Sequence, residues 1–243
     1  MRSLLLVCPD DIGRCDAALA SGADALVVAL RHAPPASREA ARGAARAFLL
    51  RAAALPRHPR LVAEIDALAS GNADADLEAV MASAPDAIML PGAVGAVDIQ
   101  HLAAKLAVHE AENGIASGRT GILAMVADTA RGVLALGTIP AASPRLLALA
   151  WDPRGLAREI TAGEAAGGAV ARTAEPCRMA RGLIVVAAVA AGVAVIDAVT
   201  VGDEAKLTRD SRAARRDGFT GKLALDAAQV PTIARCFAAD RRR

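Results

Sequence analysis

The sequence predicts a single-domain α/β protein, an eight-stranded parallel β/α (TIM) barrel. Three observations point there. Short runs rich in Val, Leu and Ile alternate with longer Ala-rich, charge-flecked segments along the whole chain. The short runs are apolar nearly throughout, which marks parallel strands covered on both faces. Eight such runs, most of them followed by a helical segment, fit within 243 residues, about what a β/α barrel needs. A doubly wound open sheet is the runner-up. It would call for a phosphate-binding turn, and no G-x-G-x-x-G follows the first strand.

The first strand is expected over Ser3–Cys8 and the second over Ala25–Leu30. Pro34-Pro35 then makes a turn before a long Ala-rich helix, Ser37–Ala54. Strand three is Arg60–Ile65, followed by a helix over Asp74–Ser83. Strand four, Ala87–Leu90, stops at Pro91-Gly92 and leads to a helix over Asp98–Glu112. Strand five is Gly121–Ala127 and strand six Leu146–Trp151. The glycine-bearing stretch from Trp151 to Arg172 has no clear assignment. A helix over Ala174–Ala191 precedes strand seven, Ala194–Val201. A basic helix over Leu207–Arg216 precedes strand eight, Lys222–Leu225. No linker divides residues 1–243, and the segment from about 227 to 243 is expected to pack on a neighbouring subunit.

Composition limits the function. Hydrophobic residues make up 54% of the chain and aromatic ones only 2%, so the core is built from Ala, Val, Leu and Ile. The formal charge is +2, from 28 basic and 26 acidic residues, which gives no electrostatic case for a nucleic-acid partner. Cys8, Cys15, Cys177 and Cys236 form no CxxC pair, and no His stands at zinc-finger spacing. Free thiols in a reducing cytoplasm are the expectation. The opening MRSLLLVCPDD is too short and too soon acidic for a secretory signal. The longest apolar stretch, Leu183–Ile196, falls short of the roughly 18 residues of a membrane span. A cytoplasmic protein with no membrane partner is expected.

In a β/α barrel the active site lies at the C-terminal ends of the strands. The residues just past those ends are Asp10 and Asp11, Arg31 and His32, Glu64 and Asp66, Pro91-Gly92, Asp128, Asp152, Asp203 and Glu204, and Asp226. Acids crowd this rim. An acid at a strand-to-helix joint is often only a helix N-cap, whereas several converging carboxylates would suit a hard cation. The stretch ILAMVADTARGV, Ile122–Val133, poses the choice directly, because its apolar run ends on Asp128 just where a helix begins.

Several stretches resemble the HpcH/HpaI aldolase and citrate lyase beta-subunit-like family, in its order and nearly end to end. RSLLLVCPDD (Arg2–Asp11) is similar to that family's RSLLFVPGDD opening, and PDAIMLPG (Pro85–Gly92) to its PDGIVLPK. ADTARGVL (Ala127–Leu134) is similar to its IETARGV, and IDAVTV (Ile196–Val201) to its IDGVYV. GFTGKLALDAAQVP (Gly218–Pro231) is similar to its GFDGKLAIHPAQV. The resemblance implies a β/α barrel that assembles into trimers or hexamers. It also implies Mg²⁺-dependent cleavage or condensation of carbon–carbon bonds in 2-hydroxy or 2-oxo acids or their acyl-CoA thioesters, such as malyl-CoA. In that chemistry two carboxylates hold the metal, the metal stabilises an enolate as Lewis acid, and an Arg pairs with the substrate carboxylate.

Carried over position by position, the site departs from the family. Its first metal ligand, a Glu, falls on Asp128, and its second, an Asp, falls on Gly155 within WDPRGL. Arg154 stands beside it, where a cation would disfavour Mg²⁺. The substrate-binding Arg of strand three falls on Glu64, and the acids after strand two become Arg31-His32. The Lys after strand four becomes Gly92, and the His after strand eight becomes Asp226. Three readings follow. In the first, the site is rearranged: Glu64, Asp128 and Asp152 hold the metal, and Arg31, Arg131 or Arg154 holds the anionic substrate. In the second, catalysis is gone and a binding or assembly role remains, marked by an Arg31–Asp128 or Arg154–Glu64 ion pair in the pocket. In the third, a metal-free chemistry uses His32 as base.

Other residues have plainer expectations. His58, His101 and His109 read as surface residues. Cys8, at the first strand's end, reads as a small buried apolar group rather than a nucleophile. GLIVVAAVAAG, Gly182–Gly192, is apolar nearly all round. A helix like that needs cover on all sides, so it is expected to form an oligomer interface. The basic helix in Leu207–Phe219 reads as a solvated outer face.

Overall fold

The computed structural model describes residues 1–30, 34–161 and 174–238. Eight parallel strands close into a barrel in chain order: β1 (Ser3–Val7), β2 (Ala25–Ala29), β3 (Arg60–Glu64), β4 (Ala87–Ala93), β5 (Gly121–Val126), β6 (Leu146–Ala150), β7 (Ala194–Asp197) and β8 (Gly221–Ala224), with β8 pairing back onto β1. Among the described residues the surrounding helices are α1 (Ile12–Ala20), α2 (Arg38–Ala53), α3 (Ala73–Met81), α4 (Ala96–Glu112), α5 (Ala130–Ala135), α6 (Pro153–Ile160), α7 (Glu175–Ala191), α8 (Glu204–Arg216) and α9 (Val230–Cys236). The expected barrel is the observed one.

Strand alternation builds two apolar layers. Successive side chains point to opposite faces of a strand, so Val62 joins the barrel interior while Leu61, Ala63 and Ile65 face the helices. The interior is filled by Ala25, Val27, Met89, Leu123, Met125, Ala148 and Ile196, among others. Small and branched aliphatics suffice because a barrel of this size is a packed core rather than a pore. Glu64 follows Val62 by two residues and lies at the top of this interior, 1% exposed.

Three departures from the expected elements have local causes. Helices α1, α5, α6 and α9, not among the expected segments, span six to nine residues each, too few turns for a helical period to stand out in a sequence. β7 ends at Asp197, four residues before its apolar run does. Beyond it the backbone carbonyls go to side chains, Ala198 O to Lys222 Nζ and Thr200 O to Gln229 Nε2. β4 runs past Pro91 to Ala93, with a register shift between Leu90 and Ala93 and Gly92 at φ 65°. Pro offers the ladder no donor, and Gly accepts the left-handed turn without a Cβ clash.

A buried charge cluster lies between the sheet and the helices. Lys222 Nζ donates to Asp197 Oδ2 at 2.7 Å, and both residues are at most 1% exposed. Trp151 Nε1 (3.3 Å) and Arg181 Nε (3.4 Å) donate to the other oxygen, Oδ1. Burial pushes the Asp197 carboxyl up, but the charges of Lys222 and Arg181 outweigh it and hold the group below its ordinary range. A second pair lies near the start of β5. Arg145 forks onto both oxygens of Glu110 at 2.7 Å, and the amides of Gly118 and Thr120 donate to them at 2.8 Å. Arg145, against some opposing desolvation, lowers the Glu110 carboxyl to about 2.

Through residue 238 the C-terminal segment packs on its own barrel: Val230 and Ile233 are buried, and Arg215 Nη1 donates to Cys236 O at 2.9 Å. Residues 239–243 lie outside the described residues. Among the described residues no helix is long and apolar enough to cross a membrane.

Candidate functional site

The rim acids divide by the work they do. Asp11, Asp152, Asp203 and Asp226 are N-caps, each accepting from a backbone amide two or three residues on, at 2.7–3.0 Å. Capping satisfies one of the helix's orphan donors. Asp66 takes Arg38 Nη1 at 3.0 Å and Asn72 Nδ2 at 3.1 Å. Glu204 takes Thr232 Oγ1 and Arg235 Nη2.

Asp128 and Glu64 are different. The cap of α5 is Thr129, whose Oγ1 accepts from Gly132 N at 3.0 Å, so Asp128 is spared that duty. Ala127, the residue before it, has φ 62°. A non-glycine residue in the left-handed region costs about 1–3 kcal/mol and persists only where the surroundings enforce it. This turn sets Asp128 at the barrel mouth. Asp128 Oδ1 and Glu64 Oε2 are both shielded from solvent.

Helix α6 closes down on that turn. A Cβ built on Gly155 would lie 2.7 Å from Asp128 O and 3.2 Å from Asp128 Cβ. The Ala130 amide, in the same turn, donates to Glu159 Oε2 of α6 at 2.8 Å. Arg154 precedes Gly155 and clasps its own helix cap. Its Nε lies 2.9 Å from Asp152 Oδ1 and 2.8 Å from Oδ2, and Nη2 also donates to Oδ2. The bond to Asp152 does most to hold Arg154 charged, and Asp128 and Glu64 add to it from a distance.

A cavity of about 140 Å³ opens at this mouth. Glu64, Asp152 and Arg154 supply its charge, and Met89, Met125, Trp151 and Leu223 supply much of its apolar wall. It is smaller than the roughly 300 Å³ at which ordinary ligand clefts begin, which suits a small acid. The two methionines and Trp151 were not among the expected site residues, although each stands near the C-terminal end of a strand; apolar side chains inside strand runs carry no mark that sets them apart from the core.

The expected site residues are thus only partly brought together. Glu64, Asp152 and Arg154 line one cavity, and Asp128, whose charge acts on Arg154, lies near it. Arg131 does not line that cavity; it is exposed on a neighbouring depression with Pro91, Gly92 and Asp98. Arg31 and His32 lie outside the described residues, and so does any Arg31–Asp128 pair. The Arg154–Glu64 ion pair named as the mark of an inactive pocket is not the one formed; Arg154 pairs with Asp152.

The donor set does not fit Mg²⁺. Gly155, onto which the resemblance carries the second metal ligand, offers no donor, and the space for a side chain there is filled by Asp128 backbone. Asp152, the expected substitute, already accepts three N–H groups of Arg154. Among the described residues no group of three or more His, Cys, Asp or Glu is arranged to hold a metal ion.

Several known proteins are similar to this chain over most of its length. A curated citrate lyase subunit beta-like protein of Mycobacterium tuberculosis is 28% identical over 241 residues, 96% of this chain and 77% of that protein. A crystal structure of RipC from Yersinia pestis superposes with a TM-score of 0.77 at 25% identity, covering 99% of this chain and 96% of that one. The citrate lyase beta subunit of M. tuberculosis, solved with oxaloacetate and magnesium, gives 0.78 at 26% identity, covering 98% and 96%. Protein CitE of M. tuberculosis, solved with magnesium, acetoacetate and coenzyme A, gives 0.77 at 26%, covering 99% and 82%. Residues 5–227 match the family described as HpcH/HpaI aldolase/citrate lyase, and the chain belongs to that family.

Proposed function

We propose that this protein is a carbon–carbon lyase of the aldolase/citrate lyase type. Its substrate is a small 2-hydroxy or 2-oxo acid, or the acyl-CoA thioester of one, bound in the mouth cavity. The observation that carries this reading is the charged cavity at the C-terminal ends of the strands, where β/α barrels do their chemistry. The M. tuberculosis relatives were solved with oxaloacetate, a 2-oxo acid, and with acetoacetate and coenzyme A, the latter the carrier of the proposed thioester.

Breaking a carbon–carbon bond beside a carbonyl leaves its electron pair on an enolate, whose oxygen needs a cation or strong donors. We assign Glu64, which lines the cavity, or Asp128 near it, to take a substrate hydroxyl proton; Arg154 is the arginine lining the cavity among the described residues. The alternative, an inactive family member kept for binding or assembly, draws no support from these relatives.

The test is a cleavage assay on malyl-CoA, citramalyl-CoA and the free acids, with product identified by mass spectrometry. Cleavage lost on Glu64→Gln is the expected result. No cleavage of any of them, by folded protein, would contradict the reading.

The four free thiols suit a reducing compartment such as the cytoplasm. Helix α7 buries Ile184 and Ala188 but leaves Met179, Leu183, Val186 and Val189 exposed, at 41% to 74%. We assign that face to contact between copies of the chain, in a trimer or hexamer. A solution mass of 24.6 kDa, that of one chain, would contradict it.

A further inference from the structure

We infer that the guanidinium of Arg154 takes the place of the divalent cation at this barrel mouth, so that the site works without a metal. The inference rests on the proposed reaction only for what the cation does; the absence of a metal seat stands on its own.

Four observations converge on it. Position 155 has no side chain, and a Cβ there would meet Asp128 O at 2.7 Å, so α6 has closed over the space a second ligand would use. Asp152 has turned inward on its own helix, capping the Arg154 amide and gripping the Arg154 side chain. Glu64 lines the cavity, Asp128 lies near enough for its charge to act on Arg154, and the one cation that lines the cavity among the described residues is Arg154. A second cation seated between those carboxylates would meet a fixed positive charge, which disfavours it most strongly where water is scarce.

The guanidinium is also suited to the task. Asp152 engages Nε and Nη2, and Nη1 has no hydrogen-bond partner among the described residues. The Arg154 side chain is 54% exposed, at a cavity of about 140 Å³. A planar fork fixed on one side by a carboxylate presents its other donors without reorganising, as a preorganised oxyanion site requires. Arginine stays charged at every working pH, so its electrophilic role needs no metal loading and no proton uptake.

The experiment has two arms. Mn²⁺ binding is titrated by calorimetry and by electron paramagnetic resonance on wild type, Arg154→Ala and Arg154→Gln. Binding of pyruvate, a 2-oxo acid, is followed by ligand-observed NMR in excess chelator. Wild type should show no saturable Mn²⁺ site up to millimolar metal. Either Arg154 variant should expose Glu64 and Asp128 and bind Mn²⁺ at least about ten-fold more tightly than wild type. Sub-millimolar Mn²⁺ binding by wild type that Asp128→Asn abolishes would overturn the inference. So would Arg154 variants whose Mn²⁺ affinity equals that of wild type. Pyruvate binding that survives chelation and is lost in Arg154→Ala supports the guanidinium as its anchor. Absence of pyruvate binding by wild type counts against the proposed substrate class and leaves the metal arms to decide separately.

Discussion

Two of the charge clusters in this barrel have opposite designs. Asp197, Lys222, Trp151 and Arg181 lie between the sheet and α7, with both oxygens of Asp197 engaged. Glu64, Asp152 and Arg154 line a cavity at the strand ends, with Asp128 near Arg154. The first cluster joins β7, β8 and α7, and Trp151, Arg181 and Asp197 also line a depression of about 210 Å³ beside α7 and α8. The second keeps its carboxylates in the mouth and its cation half in solvent. Charge inside a fold is costly unless every polar atom is met, so a fully met cluster marks architecture. A cluster at the C-terminal ends of the strands stands where barrels of this kind do their chemistry.

The contrast predicts unequal responses to mutation. Lys222→Met leaves Asp197 buried with its main counter-charge gone, and unfolding in urea should show a loss of about 3–5 kcal/mol. A loss below about 1 kcal/mol would mean that the inner cluster is not structural. Glu110→Gln should cost about 1–3 kcal/mol, since it weakens a buried, charge-assisted pair. The Glu110 carboxyl is lowered from 4.5 to about 2, so its contribution is complete above pH 4.5 and fades as pH falls towards 2. Wild type should lose that component in acid, and the Gln variant should lack it. Identical acid profiles would break the assignment.

At the mouth the effects shrink. Gly155→Ala pushes a methyl against Asp128 O and should destabilise by about 1–3 kcal/mol, as overpacking does. A neutral result would show that α6 sits further from the β5 turn than the structure places it. Arg154→Ala removes an ion pair whose arginine is half in solvent, so thermal or urea unfolding should shift by about 1 kcal/mol or less. A large loss would move Arg154 from the functional cluster to the structural one.

How far the sequence reveals this division depends on the residue. The eight strands are legible because continuous apolar runs of this length, bounded by Gly, Pro and charge, are too short to be buried helices. The end of β7 is not, because Val199 and Val201 look like strand residues while side chains from β8 and from the turn before α9 hold the backbone there. Glu64, Asp128, Asp152 and Arg154 are legible as rim residues from strand ends and family motifs. Their partners are not. Asp128 and Asp152 occupy matching places in sequence, yet Thr129 takes the cap beside Asp128, while Asp152 caps its own helix. Nothing local in the sequence separates these cases, since both spacings suit a cap. Arg131 is misplaced for a similar reason: its turn of α5 faces the depression beside β4 rather than the central cavity.

Whether an arginine occupies the cation position of this aldolase/citrate lyase barrel can be read from anomalous diffraction, using crystals grown with Mn²⁺ and pyruvate. Pyruvate should lie against Arg154, with the guanidinium still clasped by Asp152 and no manganese peak near Glu64 or Asp128. A manganese ion ligated by Glu64 and Asp128, with Arg154 swung away, would contradict it.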